Sequence, residues 1–228
     1  MSSNNERLRR IAEGLGDLNA RVVFVGGCVA QLYATDSGAA ETRPTDDVDC
    51  VVNLSTYSDY AAFSELLYGH KFSNSARPGD PICRWTFQDE IVDFMPCEDS
   101  PVGPSNRWYK PGMRHKTVYE ISKGILIQIL PVIYYVATKL EAVLSRGGED
   151  LRFSHDFEDV VYVLNYSEEF EAQYAASDDL QLKGFLKEQF GRLLDRPFIK
   201  EEVLCSLPYS EGEELDRILS VMQFVVDH

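Results

Sequence analysis

The stretches RVVFVGG (residues 21–27) and DVDCVVNL (residues 47–54) decide the fold. Both are rich in β-branched residues, which favour strands, and the first ends in a glycine turn at Gly26-Gly27. Residues 6–18, which precede them, carry apolar residues at helical spacing. The sequence therefore predicts a helix, a strand, a glycine turn and a second strand, in that order.

Two more strand pairs are predicted before the chain turns helical. Four alternating apolar runs give these pairs: residues 82–87 with 91–95, and residues 118–121 with 125–130. Residues 97–114 are rich in proline and glycine, which predicts a long loop. Segments that favour helices are residues 28–34, 57–68, 131–146, 155–164, 168–176, 180–194, 199–205 and 211–226. Gly147-Gly148 is predicted to stop the helix that starts at Pro131, and Ser210 with Glu213 to cap the last one.

The order of these elements indicates the fold class. Strands and helices alternate in residues 1–130, whereas residues 131–228 contain only helices. This pattern predicts an α/β (or α+β) head followed by a C-terminal helical region.

Composition limits the classes of protein that fit. With 22 Lys and Arg against 37 Asp and Glu, the net charge of −15 argues against a broad basic surface for nucleic acid, although a local basic stripe or metal ions can still hold RNA. The 44% hydrophobic content excludes disorder as the main state. Five widely spaced cysteines without a CxxC pair argue against a disulfide framework or a zinc knuckle. The longest apolar run, residues 125–137, is too short for a membrane span, and the start lacks a signal core, so we expect a cytoplasmic protein with no membrane partner.

Three carboxylates in the head favour metal chemistry. Asp47 and Asp49 lie two residues apart on a predicted strand and therefore share one face of it. Two adjacent carboxylates repel each other unless a cation lies between them, and Mg²⁺ carrying a nucleotide triphosphate suits such hard oxygen ligands. Asp93 lies in the apolar run IVDFM, where an unpaired carboxylate is costly to bury. If it lies on a neighbouring strand, the three complete a site for two metal ions.

The Gly-Gly turn supplies the complementary half of this hypothesis. Backbone N–H groups of Gly26 and Gly27, at the start of a predicted helix, can approach phosphate oxygens closely. Each feature also has a structural interpretation: the glycines as a plain turn, and Asp47 and Asp49 as a solvated strand edge.

The combination GG, then DVD, then IVD resembles the nucleotidyltransferase superfamily of DNA polymerase β type. Further segments, NRWY (106–109), ATKLEA (137–142) and SHDFED (154–159), are similar to the AbiEii-like nucleotidyltransferases, a group that includes type IV toxin–antitoxin toxins. The similarity covers residues 20–165 and does not extend to residues 166–228. The resemblance implies a polymerase-β-like head with a mixed sheet, with residues 131–165 completing the nucleotide site.

The resemblance also assigns roles in the head. It implies that Asp47, Asp49 and Asp93 are the catalytic residues and the ligands of two Mg²⁺ ions. Asp93 would activate the incoming hydroxyl, as a base or as a metal-bridging group. Gly26 and Gly27 would lie at the phosphates of the nucleotide. Cys28 departs from the Ser or Thr common in related enzymes, which removes a hydroxyl contact but leaves the backbone contacts.

Other matched residues carry two interpretations each. Lys139 matches a lysine that neutralises triphosphate charge, and Asp156 matches an acidic motif at the nucleotide. Alternatively, Asp156 and Asp159, one helical turn apart, bind Lys139 or Arg146 and serve the fold. The segment 107–109, Arg-Trp-Tyr, either stacks a base of the substrate or anchors its own loop.

The expected activity is therefore Mg²⁺-dependent transfer of a nucleoside monophosphate from a nucleotide triphosphate to a hydroxyl acceptor. Relatives of this type modify RNA such as tRNA, or proteins, and toxin-like members have an antitoxin protein as partner. Two alternatives stay open: a small-molecule nucleotidyltransferase of the aminoglycoside type, and a catalytically silent nucleotide-binding or interaction module.

Overall fold

A computed structural model describes residues 3–75, 77–146, 150–207 and 212–228. Within these ranges, the strands are β1 (Val22–Val25), β2 (Asp47–Val52), β3 (Ser73–Asn74), β4 (Arg84–Phe87), β5 (Glu90–Pro96), β6 (Thr117–Ser122) and β7 (Ile125–Ile129). The α-helices are α1 (Ser3–Leu15), α2 (Tyr57–Gly69), α3 (Tyr109–Met113), α4 (Val132–Arg146), α5 (His155–Tyr166), α6 (Glu169–Ala176), α7 (Leu180–Leu194), α8 (Ile199–Cys205) and α9 (Glu213–Asp227). Short 3₁₀ helices occupy Gly16–Arg21, Gly27–Tyr33 and Leu151–Phe153.

The strands form one mixed sheet in the order β3-β4-β5-β2-β1-β7-β6. β2 pairs with β5, and β1 with β7, in parallel, while the other neighbours are antiparallel. The chain is therefore mixed α/β, as the sequence predicts. Both parallel pairs join strands that are far apart in sequence. The four strands of these pairs lie next to one another in the middle of the sheet.

The chain divides into two units, and each unit is built from two separate stretches of the sequence. The first contains Met1–Val29 and Arg43–Pro131, and the second contains Ala30–Thr42 and Val132–His228. The first unit holds the sheet, and its central strand β1 is buried along its whole length.

The second unit packs helices around aromatic residues. Tyr135 of α4 and Phe157 of α5 are fully buried. The segment Ala30–Thr42 joins this unit through the ring of Tyr33, whose centroid lies 4.5 Å from that of Tyr135. The backbone N–H of Thr35 also donates to the carbonyl of Tyr166 at 2.8 Å.

Most predicted elements are present, with boundaries shifted by a few residues. The first helix was predicted over residues 6–18, but α1 ends at Leu15 because Gly16 adopts a positive φ of 53°, which an α-helix cannot continue. The helix predicted over residues 28–34 is a 3₁₀ helix, Gly27–Tyr33.

The 97–114 loop prediction was partly wrong, because α3 lies within it. Pro111 fits this helix because it is in the first turn, where the backbone N–H groups have no intrahelical partner.

The helix stop predicted at Gly147-Gly148 and the capping residue Ser210 lie outside the described residues. In the described part of the chain, no helix has the length and apolar character needed to cross a membrane.

Candidate active site

The structure brings the three predicted carboxylates to one face of two neighbouring strands. β2 and β5 run parallel in register, with Asp47 opposite Ile91 and Asp49 opposite Asp93. Residues paired in this way point to the same side of a sheet, and so do residues two apart along a strand. Asp47, Asp49 and Asp93 therefore share one face of the sheet in the first unit.

An arginine that the sequence interpretation missed lies among these carboxylates. Arg84 of β4 is opposite Asp93 in the hairpin. Its Nε donates to Asp93 Oδ1 at 2.9 Å, and its Nη2 donates to Asp93 Oδ2 at 2.7 Å and to Asp47 Oδ2 at 3.1 Å. Nη1 lies 3.9 Å from Asp80 Oδ1. One guanidinium thus contacts three carboxylates.

A sequence signal for this arginine exists. Arg84 stands between the apolar residues Cys83 and Trp85, as Asp93 stands between Val92 and Phe94. A two-residue turn at Gln88-Asp89 then sets the register that places the two charges opposite each other. Opposite charges at facing positions of a hairpin stabilise it.

The electrostatics of the cluster are dominated by negative charge. Burial raises the pKa of Asp47, and the neighbouring Asp93 raises that pKa further, while Arg84 opposes both effects. The hydrogen bond to Asp93 raises the pKa of Arg84, which stays charged. Among the three carboxylates that Arg84 contacts, Asp93 is the most enclosed. Its side chain is 10% exposed, whereas that of Arg84 is 26% exposed.

Gly26 is required by the position of Asp49. Its φ is 75°, a left-handed conformation that favours glycine. A Cβ atom at this position would overlap the Asp49 carboxylate. The backbone after β1 therefore approaches one of the predicted metal ligands closely, and Gly27 then begins the 3₁₀ helix.

Residues of α1 hold the segment that leads into β2. The Arg7 guanidinium donates to the carbonyls of Thr45 and Asp46 and, through Nε, to Glu90 Oε2 at 2.5 Å. Asn4 accepts from the backbone N–H of Thr45 at 3.2 Å. This contact set was not predicted from the sequence, in which Glu90 falls between the predicted strands of residues 82–87 and 91–95. Glu90 is instead a buried residue that starts β5.

Lys139 and Asp156 lie in the second unit and contact each other. Lys139 Nζ is 3.1 Å from Asp156 Oδ1 and 2.7 Å from Asp159 Oδ2, and the lysine side chain is 8% exposed. Arg146 Nη1 is 3.2 Å from Asp156 Oδ2. These pairs match the alternative in which the acidic motif binds the helix cations, and the predicted roles of Lys139 and Asp156 at the nucleotide stay predictions.

The Arg-Trp-Tyr segment has contacts within itself. The Arg107 guanidinium lies 5.2 Å from the centroid of the Trp108 ring, and Trp108 is buried. Burial of the ring fits the anchoring role better than base stacking, because a base needs an exposed face.

The carboxylates suit a divalent cation by donor chemistry. Three hard oxygen donors share one face. Burial, and after it the charge of Asp93, raise the pKa of Asp47, while Arg84 lowers it. In the arrangement that the structure describes, however, no group of three or more His, Cys, Asp or Glu side chains is set to hold a metal ion. Arg84 uses both oxygens of Asp93 and one of Asp47.

In comparisons with known proteins, no family model and no curated protein matches the chain.

Proposed function

We propose that the chain is a Mg²⁺-dependent nucleotidyltransferase with a polymerase-β-like head. It would transfer a nucleoside monophosphate from a nucleotide triphosphate to a hydroxyl acceptor. The observation that carries the proposal is the placement of Asp47, Asp49 and Asp93 on one face of two strands in register, with the backbone of Gly26 against Asp49.

The three carboxylates are the residues that would hold the metal. The chemistry that bound Mg²⁺ supplies at such a site is neutralisation of charge on the triphosphate and on the attacking oxygen. Asp47 and Asp49 project from one strand, and Asp93 projects from the next strand at the level of Asp49. Carboxylate oxygens on one face of two neighbouring strands are the kind of ligand that Mg²⁺ prefers, and this supports the proposal.

The remaining roles belong to groups of the chain itself. In the proposed reaction, the acceptor oxygen bonds to the α-phosphorus, the bond from that phosphorus to the bridging oxygen breaks, and pyrophosphate leaves. Asp93 accepts the proton of the acceptor hydroxyl, and its low exposure keeps water from competing for this position. The N–H groups of Gly26 and Gly27 donate to phosphate oxygens.

The experiment that tests this proposal follows a radioactive label. The purified chain is incubated with Mg²⁺ and each α-³²P-labelled nucleotide triphosphate, with total cellular RNA, total protein or an aminoglycoside as acceptor. Asp49→Asn and Asp93→Asn should lower transfer by at least about a hundredfold, because each removes a charge from the metal-binding face. Asp46→Asn is the matched control, since it makes the same change on an exposed side chain next to the site.

The outcomes separate the candidates. Transfer by the unmodified chain and by Asp46→Asn, with loss in the other two variants, supports the proposal and reveals the acceptor class. Label that appears equally with Asp93→Asn contradicts it. Binding of a labelled nucleotide without transfer to any acceptor favours the silent module. The toxin-like activity and the antitoxin partner rest on the resemblance alone, and RNA or protein labelling is the result they require.

A further inference from the structure

We infer that Arg84 exchanges partners during the reaction: it holds Asp47 and Asp93 until a divalent cation binds them, and its guanidinium then binds the nucleotide phosphates. This inference rests on the proposed function, because the cation and the phosphates are those of the proposed reaction. It makes Arg84 a phosphate-binding residue that also sets the metal affinity.

The first step follows from how the carboxylate oxygens are used. Both oxygens of Asp93 accept from Arg84, and one oxygen of Asp47 does so too. A divalent cation at Asp93 would need these same oxygens and would lie close to a guanidinium that carries a positive charge throughout the accessible pH range. The positive charge of Arg84 therefore opposes binding of the cation, which should bind better once the guanidinium has left.

The second step concerns where the guanidinium can go. Arg84 has a long side chain that is 26% exposed, so it has room to move away from the strand surface. Asp80 offers it an adjacent carboxylate, 3.9 Å from Nη1, and this carboxylate is itself fixed by a hydrogen bond from Ser75. The displaced guanidinium thus stays next to the site.

The third step is the match to phosphate. The backbone of Arg84 is paired with that of Asp93, so the side chain cannot leave the neighbourhood of any ligand bound there. A guanidinium pairs with phosphate oxygens through two parallel N–H groups, as it does here with the Asp93 carboxylate. The geometry that now binds a carboxylate suits a phosphate of the triphosphate equally well.

The test measures two affinities that should change in opposite directions. Binding of Mn²⁺ alone is measured by electron paramagnetic resonance of the free ion, and binding of pyrophosphate is measured by calorimetry at saturating Mn²⁺. Arg84→Gln should bind Mn²⁺ about tenfold more tightly and pyrophosphate about tenfold more weakly than the unmodified chain. A side chain that only supports the fold would weaken both. Arg114→Gln, which removes the same charge from an exposed residue of the same unit, should change neither.

A second variant covers the case in which Arg84→Gln fails to fold. Arg84→Lys retains the positive charge but lacks the planar fork, so it should keep the fold and bind Mn²⁺ more tightly than the unmodified chain, by a smaller factor. Unfolding temperature and circular dichroism establish the fold of each variant.

The results also separate this inference from the proposed function. Binding of Mn²⁺ that depends on Asp93 but is the same with and without Arg84 overturns the exchange and leaves the proposed function standing. Tighter Mn²⁺ binding with unchanged pyrophosphate affinity overturns the phosphate-binding role. If the unmodified chain, Arg84→Gln and Arg84→Lys all fail to bind Mn²⁺, the metal site of the proposed function is itself wrong.

Discussion

The two units each contain a cluster of ion pairs, and the clusters differ in charge balance. In the first unit, one guanidinium, that of Arg84, contacts three carboxylates. In the second, Lys139 and Arg146 face Asp156 and Asp159, so positive and negative charges are equal. A balanced cluster, here with Lys139, Asp156 and Asp159 buried and Arg146 exposed, is complete as it stands, whereas a cluster with surplus negative charge attracts a further cation. From this comparison we expect a structural role for the second cluster and propose a binding role for the first.

The largest effect on stability is expected from the balanced cluster. Lys139→Met leaves Asp156 and Asp159 as buried carboxylates without their lysine, and should lower the free energy of unfolding by about 3–5 kcal/mol. Urea denaturation measures this change. Lys187→Met, an exposed lysine of α7, is the control and should have little effect. Equal, small losses in the two variants would break the comparison.

The next effect concerns Gly26, whose backbone lies against Asp49 in the first unit. Gly26→Ala should lower the free energy of unfolding by about 2–3 kcal/mol, because it combines a strained backbone with an overlap on Asp49. Thermal unfolding measures the loss. Gly184→Ala in α7 is the matched control: nothing lies near its added methyl group, and a helical alanine should raise stability by about 0.5–1 kcal/mol. Loss of similar size at both glycines would contradict the assigned reason.

A third, smaller effect is pH-dependent and belongs to the second unit. The buried Glu202 accepts from Arg196 Nε at 2.8 Å and from the backbone N–H of Leu151 at 3.2 Å. Its pKa is lowered, chiefly by the hydrogen bond from Arg196. A lowered carboxyl pKa contributes stability above the unfolded-state value of about 4.3, and this contribution is lost as the pH falls through the folded-state pKa.

Glu202→Gln should therefore cost about 1.5–2 kcal/mol at pH 7, with the difference from the unmodified chain fading below about pH 4. Denaturation curves at several pH values test the slope. A difference that persists undiminished at low pH would mean that shape, and not charge, gives Glu202 its role.

The smallest effect is expected at an exposed pair. Arg9 and Glu13 are one helical turn apart on α1, and their charged groups are 2.8 Å from each other. Arg9→Ala should change the free energy of unfolding by about 0.3 kcal/mol, because solvent screens both groups. This value, obtained by the same denaturation method, gives the baseline against which the buried clusters are judged.

Local features of the structure could be predicted from the sequence. The predicted bounds of α7 and α8 match the structure, and the β4–β5 hairpin and the β6–β7 pair are confirmed. Apolar periodicity and turn residues act over a few positions, so they can be recognised in one sequence. The mixed α/β class followed from the order of these elements.

Contacts between distant segments could not be predicted. The parallel pairing of β2 with β5 depends on packing across the intervening chain, and the bonds from Arg7 to Glu90 join residues 83 positions apart. Asp93 illustrates both what could and what could not be predicted from the sequence. Its place in an apolar strand indicated that it needed a partner, but the identity of that partner, Arg84, depended on the hairpin register.

The interleaved path of the chain has a consequence for its synthesis on the ribosome. Ala30–Thr42 leaves the ribosome early, but it belongs to the second unit and bonds to Tyr166. Domains fold as the chain emerges from the ribosome. This segment is therefore synthesised before its partner and cannot reach its native position until α5 has been translated. The first unit meanwhile forms around a loop whose partners do not yet exist. A ribosome that stalls before Tyr166 therefore holds a nascent chain in which this loop lacks its native partner.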